Sequence, residues 1–118
     1  MDFIATNNNG HRKIEFFVED TKIGECMLTH YEKAYDFLYN FVIYEQYRNQ
    51  GYGQTALLDL INKYNFRYLN VEENNKVALH IYKKFGFKKD CYVNVEGKPM
   101  IRMKRKTFKA LGWNDERS

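Results

Sequence analysis

Between an apolar run that reads as a strand, Tyr39 to Tyr44, and an amphipathic run that reads as a helix, Gln54 to Tyr64, the chain places Arg48-Asn49-Gln50-Gly51-Tyr52-Gly53. A strand, a glycine-bearing turn and a helix in that order imply a crossover to a parallel neighbour, and so a sheet with a helix laid over it. The turn also suggests a ligand. Backbone N–H groups at a helix N-terminus are unpaired and carry partial positive charge, and residues without side chains let a phosphate approach them closely.

The flanking patterns agree with a mixed α/β or α+β domain. Ile14, Phe16 and Val18 alternate with Glu15 and Glu19, Asp20-Thr21-Lys22 offers a turn, and Ile23 to Tyr31 completes an antiparallel hairpin. Ala34 to Tyr44 is apolar on both faces, with Tyr35, Phe37, Tyr39, Phe41 and Ile43 on one and Leu38 and Val42 on the other, the pattern of a central strand. Ala56, Leu57, Leu60, Ile61 and Tyr64 recur at helical spacing, and Phe66 to Val71 reads as a strand. A second helix starts after Asn74 or Asn75, buries Ala78, Ile81, Tyr82 and Phe85, and stops at Gly86. Cys91 to Val95 and Met100 to Lys106 then flank Glu96-Gly97 as a hairpin. The predicted order is β-β-β-α-β-α-β-β.

A chain of 118 residues, 44% of them hydrophobic and 17% aromatic, suffices for one modest domain, 1–118, with 107–118 as a C-terminal tail. No run of 18 apolar residues occurs, and the first residues lack the basic and apolar segments of a leader, so a soluble, unexported, cytoplasmic protein is expected. Cys26 and Cys91 lie far apart without metal-type spacing, which signals neither a disulfide framework nor a metal site. A net charge of +4 suits an anionic ligand, polyanionic cofactor or nucleic acid alike. The cations are densest from Lys98 to Lys109, where partial alternation reads as the solvated face of an edge strand.

Gly51-x-Gly53-x-x-Ala56 with Glu72 some way beyond fits a dinucleotide fingerprint. In that fingerprint, however, the first glycine follows its strand almost directly. Here Glu45 to Gln50 intervene, and the chain is too short for two βαβαβ halves. Arg48-x-x-Gly51-x-Gly53 instead resembles the Gln/Arg-x-x-Gly-x-Gly/Ala signature of the GCN5-related N-acetyltransferases (GNAT). Asn75-x-x-Ala78-x-x-x-Tyr82-x-x-x-Gly86-Phe87 is similar to that family's second segment, in the same order and spacing. The resemblance runs from about Ala34 to Lys104.

What the resemblance implies is a mixed, mostly antiparallel sheet with a splayed parallel strand pair, Phe37 to Tyr44 and Phe66 to Val71, and two principal helices. It implies acetyl-CoA as co-substrate, no metal, and an amine acceptor: a polyamine, an amino sugar, a lysine side chain or a protein N-terminus. Carried over, the main chain of Asn49, Gln50, Gly51, Tyr52, Gly53 and Gln54 holds the pyrophosphate, and Arg48 adds charge or orders the loop. Phe41, Val42 and Ile43 line the pantetheine arm, and Asn75 hydrogen-bonds it. Tyr82 serves the departing thiol, and a main-chain N–H near Ile43 or Tyr44 stabilises the oxyanion. Without the motif, Asn75 reads as a helix N-cap and Tyr82 as a core aromatic.

A phenol of pKa ~10 giving its proton to a thiolate whose acid has pKa ~8.5 runs uphill by about 2 kcal/mol, so Tyr82 is expected to donate a hydrogen bond without full transfer. Positioning of amine against thioester then supplies much of the acceleration. The candidate bases are Glu45 and Glu72, with Glu73 beside them; each also reads as a solvated strand-end carboxylate. Glu45 stands where the family has proline. His80 lies about 160° from Tyr82 around the helix and reads as solvent-facing. His30 is undecided, and Cys91 lacks the electropositive setting of a nucleophile.

Family members usually carry a strand and one or two helices before the hairpin, and here only Met1 to Arg12 precede Lys13. Phe3 to Thr6 fits a short strand and Asn7 to Gly10 a loop, so the acceptor pocket is expected to be abbreviated. That shortening motivates an alternative, a non-catalytic acyl-CoA-binding module; a basic nucleic-acid-binding domain is a third reading. Exposed strand edges with Leu111 and Trp113 leave a homodimer open.

Overall fold

The computed structural model describes the backbone of residues 1–31 and 34–106, and the side chains of all of these but 30, 31 and 34–36. Leu111, Trp113 and Lys109 lie outside the described residues. Two compact units form, residues 1–66 and 67–118.

The first unit holds β1 (Asp2–Asn8), β2 (His11–Val18), β3 (Thr21–Tyr31), β4 (Ala34–Ile43) and α1 (Tyr52–Tyr64). Its four strands pair antiparallel in chain order. β1 is longer than expected because Asn7 and Asn8 stay in the ladder, and only Asn9 and Gly10 turn, both at positive φ (47° and 81°). Two successive left-handed residues make the turn whose twist matches a hairpin. The next turn falls one residue earlier than predicted, at Glu19-Asp20, with Glu19 taking φ 56°.

Ile14 and Phe16 of β2, Ile23, Cys26 and Leu28 of β3, and Leu38 and Ile43 of β4 are buried. So are Ala56, Leu57, Leu60, Ile61 and Tyr64 of α1, the helical face anticipated from spacing. Burying Leu57, Leu60 and Ile61 contributes about 1.5–3 kcal/mol each. Burial and the neighbouring Glu25 push the Cys26 thiol up to about 12, so it is an inert core residue.

β4 departs from the simple alternation. Its register jumps from Tyr39↔Met27 to Val42↔Glu25, so Asn40 and Phe41 together face Cys26, and Asn40 sits at φ 52°. This bulge shifts the faces by one. Leu38, Phe41 and Ile43 consequently serve the core, Phe41 ringing against Phe16 at 5.6 Å, while Tyr39 packs on His11. Beside the bulge, a Cβ on Gly24 would lie 2.2 Å from the Val42 carbonyl oxygen, so glycine is obligatory there.

The opposite face of this sheet is polar. Lys22 pairs with Glu15 (2.6 Å) and Glu25 (2.9 Å), Lys13 with Glu25 (3.9 Å), and Tyr44 Oη donates to Glu25 (3.2 Å). Hydrogen bonds to Glu15 and Glu25 hold the Lys22 ammonium well above its usual range, and Lys22 in turn lowers the Glu25 carboxyl.

The second unit holds β5 (Tyr68–Val71), α2 (Lys76–Lys84), β6 (Lys88–Val95) and β7 (Lys98–Lys104), with strand order β5-β7-β6, both pairings antiparallel. The basic run is therefore not an edge strand: β7 is central, with Ile101 and Met103 buried. Its outward cations meet carboxylates, Lys98 on Glu72 at 3.0 Å and Arg102 and Lys104 on Asp90 at 3.4 and 3.2 Å. Among the described residues of this unit, Leu69, Val71, Leu79, Phe87, Ile101 and Met103 are buried. The predicted helix face is shifted, since Leu79 is its most buried member and Ala78, Ile81, Tyr82 and Phe85 are half-buried.

Candidate functional site

After β4 ends at Ile43, a single 3-10 turn, Glu45–Tyr47, fills the gap before the glycines. Tyr47 N–H bonds the Tyr44 carbonyl (2.8 Å) and Arg48 N–H the Glu45 carbonyl (3.2 Å). The Arg48 side chain turns back, donating from Nε to the Ile43 carbonyl at 2.8 Å. This bond ties Arg48 back to the end of β4.

Asn49 (φ 63°) and Gly51 (φ 82°) then reverse the chain, and Gly51 is the N-cap of α1. Its carbonyl takes the Thr55 N–H and the Thr55 hydroxyl, each at 3.1 Å. No side chain caps this terminus, and no acid stands in its first turn. The two glycines differ in why they are glycine. A Cβ at Gly51 would meet nothing, so its requirement is the left-handed backbone; at Gly53 the backbone is ordinary and a Cβ would only touch Ile43 Cγ1 at 3.8 Å. An alanine at 53 would fit the protein and favour the helix by up to about 1 kcal/mol. Glycine there leaves the N-terminal amides of α1, around Tyr52, Gly53 and Gln54, open to an anion.

At the end of β4, the expected oxyanion donors separate. Tyr44 N–H donates to the Ile23 carbonyl at 2.9 Å, so this group is occupied within the β3–β4 ladder. Antiparallel pairing alternates, so Ile43, opposite Gly24, turns its N–H and C=O away from β3. Ile43 keeps the candidacy and Tyr44 loses it. Phe41 belongs to the bulge and Val42 and Ile43 follow it directly, with Ile43 buried and the other two half-buried.

On α2, Asn75 is the N-cap: its Oδ1 accepts from Ala78 N–H at 3.2 Å and its backbone carbonyl from Leu79 N–H at 3.0 Å. The cap uses the acceptor end of the carboxamide, and the Nδ2 end carries the donors. Tyr82 stands seven residues on, about 20° away in azimuth and about two turns along the helix. Burial raises the pKa of its phenol above the ordinary value, keeping it protonated. The helix closes just after it. Gly86 at φ 95° donates to the Lys83 carbonyl (3.1 Å) and Phe87 to the Tyr82 carbonyl (3.0 Å), the paired bonds of a Schellman motif.

Of the carboxylates, Glu72 is ion-paired with Lys98, and Glu73 accepts from Tyr92 Oη at 3.3 Å. Both line a cleft of about 560 Å³ with Asn74, Tyr92, Pro99 and Met100. Glu45 is exposed at the start of the 3-10 turn. His80 is solvent-exposed, as read from its azimuth, and the side chain of His30 lies outside the described ones. Cys91 is exposed, with Asp90 Oδ2 4.0 Å from its Sγ. Among the described residues, no group of three or more His, Cys, Asp or Glu side chains is arranged to hold a metal ion. Sequence reasoning overlooked Gly24, Asn40 and Tyr92, and named Phe87 only as the last position of the second segment; of the overlooked residues only Asn40, a residue tolerant of positive φ inside a strand, carried a local signal.

The family model described as the acetyltransferase (GNAT) domain matches residues 12–89. No curated protein sequence matches the chain. Among solved structures, a mutant of the spermidine N-acetyltransferase SpeG from Vibrio cholerae superposes with a TM-score of 0.69 at 20% identity, over 92% of this chain and 72% of that one. The ribosomal-protein-S18-alanine N-acetyltransferase from Escherichia coli gives 0.71 at 16% identity, over 84% and 70%. Naa50 from Arabidopsis thaliana, in complex with the bisubstrate analogue CoA-Ac-MVNAL, gives 0.62 at 26% identity, over 80% and 72%. With a family model spanning both motif segments and a fold shared with these enzymes, the chain belongs to the GNAT family of N-acetyltransferases.

Proposed function

We propose that this N-acetyltransferase moves an acetyl group from acetyl-CoA to a primary amine by direct attack, without an acyl-enzyme. The observation that carries this reading is the N-terminus of α1, which no side chain caps and where Gly53 answers neither a steric nor a conformational need. The amides around Gly51 to Gln54 would hold the pyrophosphate, and Arg48 fixes the loop that presents them. Phe41, Val42 and Ile43 would flank the pantetheine arm, and Asn75 would donate to it from Nδ2.

In the chemical step the neutral amine nitrogen attacks the thioester carbonyl carbon, its oxygen takes negative charge, and collapse expels the thiolate. The Ile43 N–H, turned away from β3, would donate to that oxyanion. Tyr82 offers the thiolate a hydrogen bond. Its raised pKa makes full proton transfer costlier than between free groups, so stabilisation rather than protonation is its role. The amine's proton leaves to a carboxylate or to water. Glu45 fits that task better than Glu72, whose charge is already paired with Lys98.

Neighbours named for spermidine and for a ribosomal-protein alanine, and one bound to the analogue CoA-Ac-MVNAL, support a small polyamine or a protein amine as the acceptor. The test follows free-thiol release from acetyl-CoA with pooled amines, in wild type, Tyr82→Phe and Gly53→Glu. Amine-dependent release that Gly53→Glu abolishes and Tyr82→Phe slows supports the reading. Acetyl-CoA binding with no release on any amine favours a non-catalytic module instead.

A further inference from the structure

We propose that Phe87 is a positioning residue for Tyr82, its ring fixing where the tyrosine presents its hydroxyl to the departing thiol. This rests on the thiol-side role given to Tyr82 above.

Two separate links join the residues. Phe87 N–H donates to the Tyr82 carbonyl at 3.0 Å, with Phe85 N–H on the same oxygen at 3.1 Å, so the backbone of Tyr82 is held by the turn that ends its helix. The rings also meet edge to face, centroids 6.1 Å apart and planes at 65°. That pairing is the apolar contact that accompanies a Schellman motif, between the residue just past the left-handed position and the one five before it. Phe87 is 1% exposed and leads straight into β6, so it has no freedom to follow a moving partner.

The geometry matters because a phenol's oxygen lies on the axis about which its ring spins. Only rotation about χ1 swings that oxygen, and a fixed ring against its flank opposes the swing. Gly86 makes the arrangement reachable. It sits at φ 95°, and a Cβ there would meet nothing within 4 Å, so its substitution acts through backbone conformation and not through a clash. The Tyr82-x-x-x-Gly86-Phe87 spacing is thereby explained as one mechanical unit: a hydroxyl, the turn that stops its helix, and the ring that the turn delivers against it.

The experiment is steady-state thiol release by wild type, Phe87→Leu, Tyr82→Phe and the double variant, with the amine found in the acceptor screen. Phe87→Leu should lower kcat by about tenfold while KM for acetyl-CoA stays within about twofold, since sub-ångström displacement of a reacting group is costly. In the Tyr82→Phe background the same substitution should change kcat by less than about twofold, because there is no hydroxyl left to misplace. Multiplicative effects, or an unchanged kcat in Phe87→Leu, overturn the inference. Should Phe87→Leu fail to fold, Gly86→Val against Gly86→Asn serves: valine should lower kcat and asparagine, which tolerates the left-handed region, should restore it; equal effects overturn the inference. A Tyr82→Phe enzyme with wild-type kcat removes the role of Tyr82 and this inference with it, whereas loss of kcat in Tyr82→Phe with multiplicative Phe87→Leu removes only the inference.

Discussion

The Arg48 side chain donates from Nε to the Ile43 carbonyl across 2.8 Å, tying the first cation of the glycine turn to the last residue of β4. Because Ile43 turns its amide away from β3, this carbonyl is not served by the β3–β4 ladder. Arg48 therefore ties the start of the turn to the Ile43–Tyr44 peptide, the neighbour of the Val42–Ile43 peptide whose N–H is proposed to meet the oxyanion.

Replacing Arg48 with alanine should cost about 1.5–3 kcal/mol in urea unfolding, the range for a hydrogen bond that involves a charged group. Arg48→Lys should recover little, since an ammonium lacks the guanidinium's fixed fork. Full recovery of stability and of acetyl-CoA affinity in Arg48→Lys would mean that charge alone matters there.

Gly51 and Gly53 should respond oppositely to alanine. Gly51→Ala forces a side chain into φ 82° and should destabilise the unliganded protein by about 1 kcal/mol. Gly53→Ala should leave it unchanged or stabilise it by up to about 1 kcal/mol while weakening acetyl-CoA binding. Thermal unfolding of the free protein and titration calorimetry read the two effects separately.

Asn75→Asp separates capping from ligand contact. Aspartate caps a helix as well as asparagine, so the unfolding midpoint should hold, whereas Asn75→Ala should lose about 1 kcal/mol. Both lose the Nδ2 donors, and both should bind acetyl-CoA more weakly. An Asn75→Asp protein with wild-type affinity would confine this residue to its cap.

Burial raises the Tyr82 pKa, so folding disfavours its ionised form. Below the unfolded value of about 10 the phenol is neutral in both states and its contribution is constant. Above it the unfolded chain ionises first, and stability falls as pH rises. Tyr68 shifts the other way, because hydrogen bonds from Arg67 and Arg102 favour its phenolate. A spectrophotometric titration should therefore lose a late-ionising component in Tyr82→Phe and an early one in Tyr68→Phe. Loss of an early component in Tyr82→Phe would contradict its burial.

Periodicity sufficed wherever one face is buried without interruption. α1 buries the five residues its spacing indicated, and Gly86 ends α2 as read. It failed at β4, where the bulge at Asn40 exchanges the faces, and on β7, whose cations mask a central strand because carboxylates on other elements neutralise them. Gly51 and Asn75 were legible because their residue types answer local backbone needs, a left-handed turn position and a helix N-cap. The pairing of Tyr82 with Phe87 was less so, since the spacing displays the residues without showing that their rings meet.

The most direct test of the account is the dissociation constant of acetyl-CoA for wild type and Gly53→Glu, measured by calorimetry on samples with matching circular dichroism. The account predicts a loss of at least about 100-fold, roughly 2.8 kcal/mol, because the added side chain fills the approach to the α1 amides and repels the pyrophosphate. Equal affinity in the two proteins would contradict it.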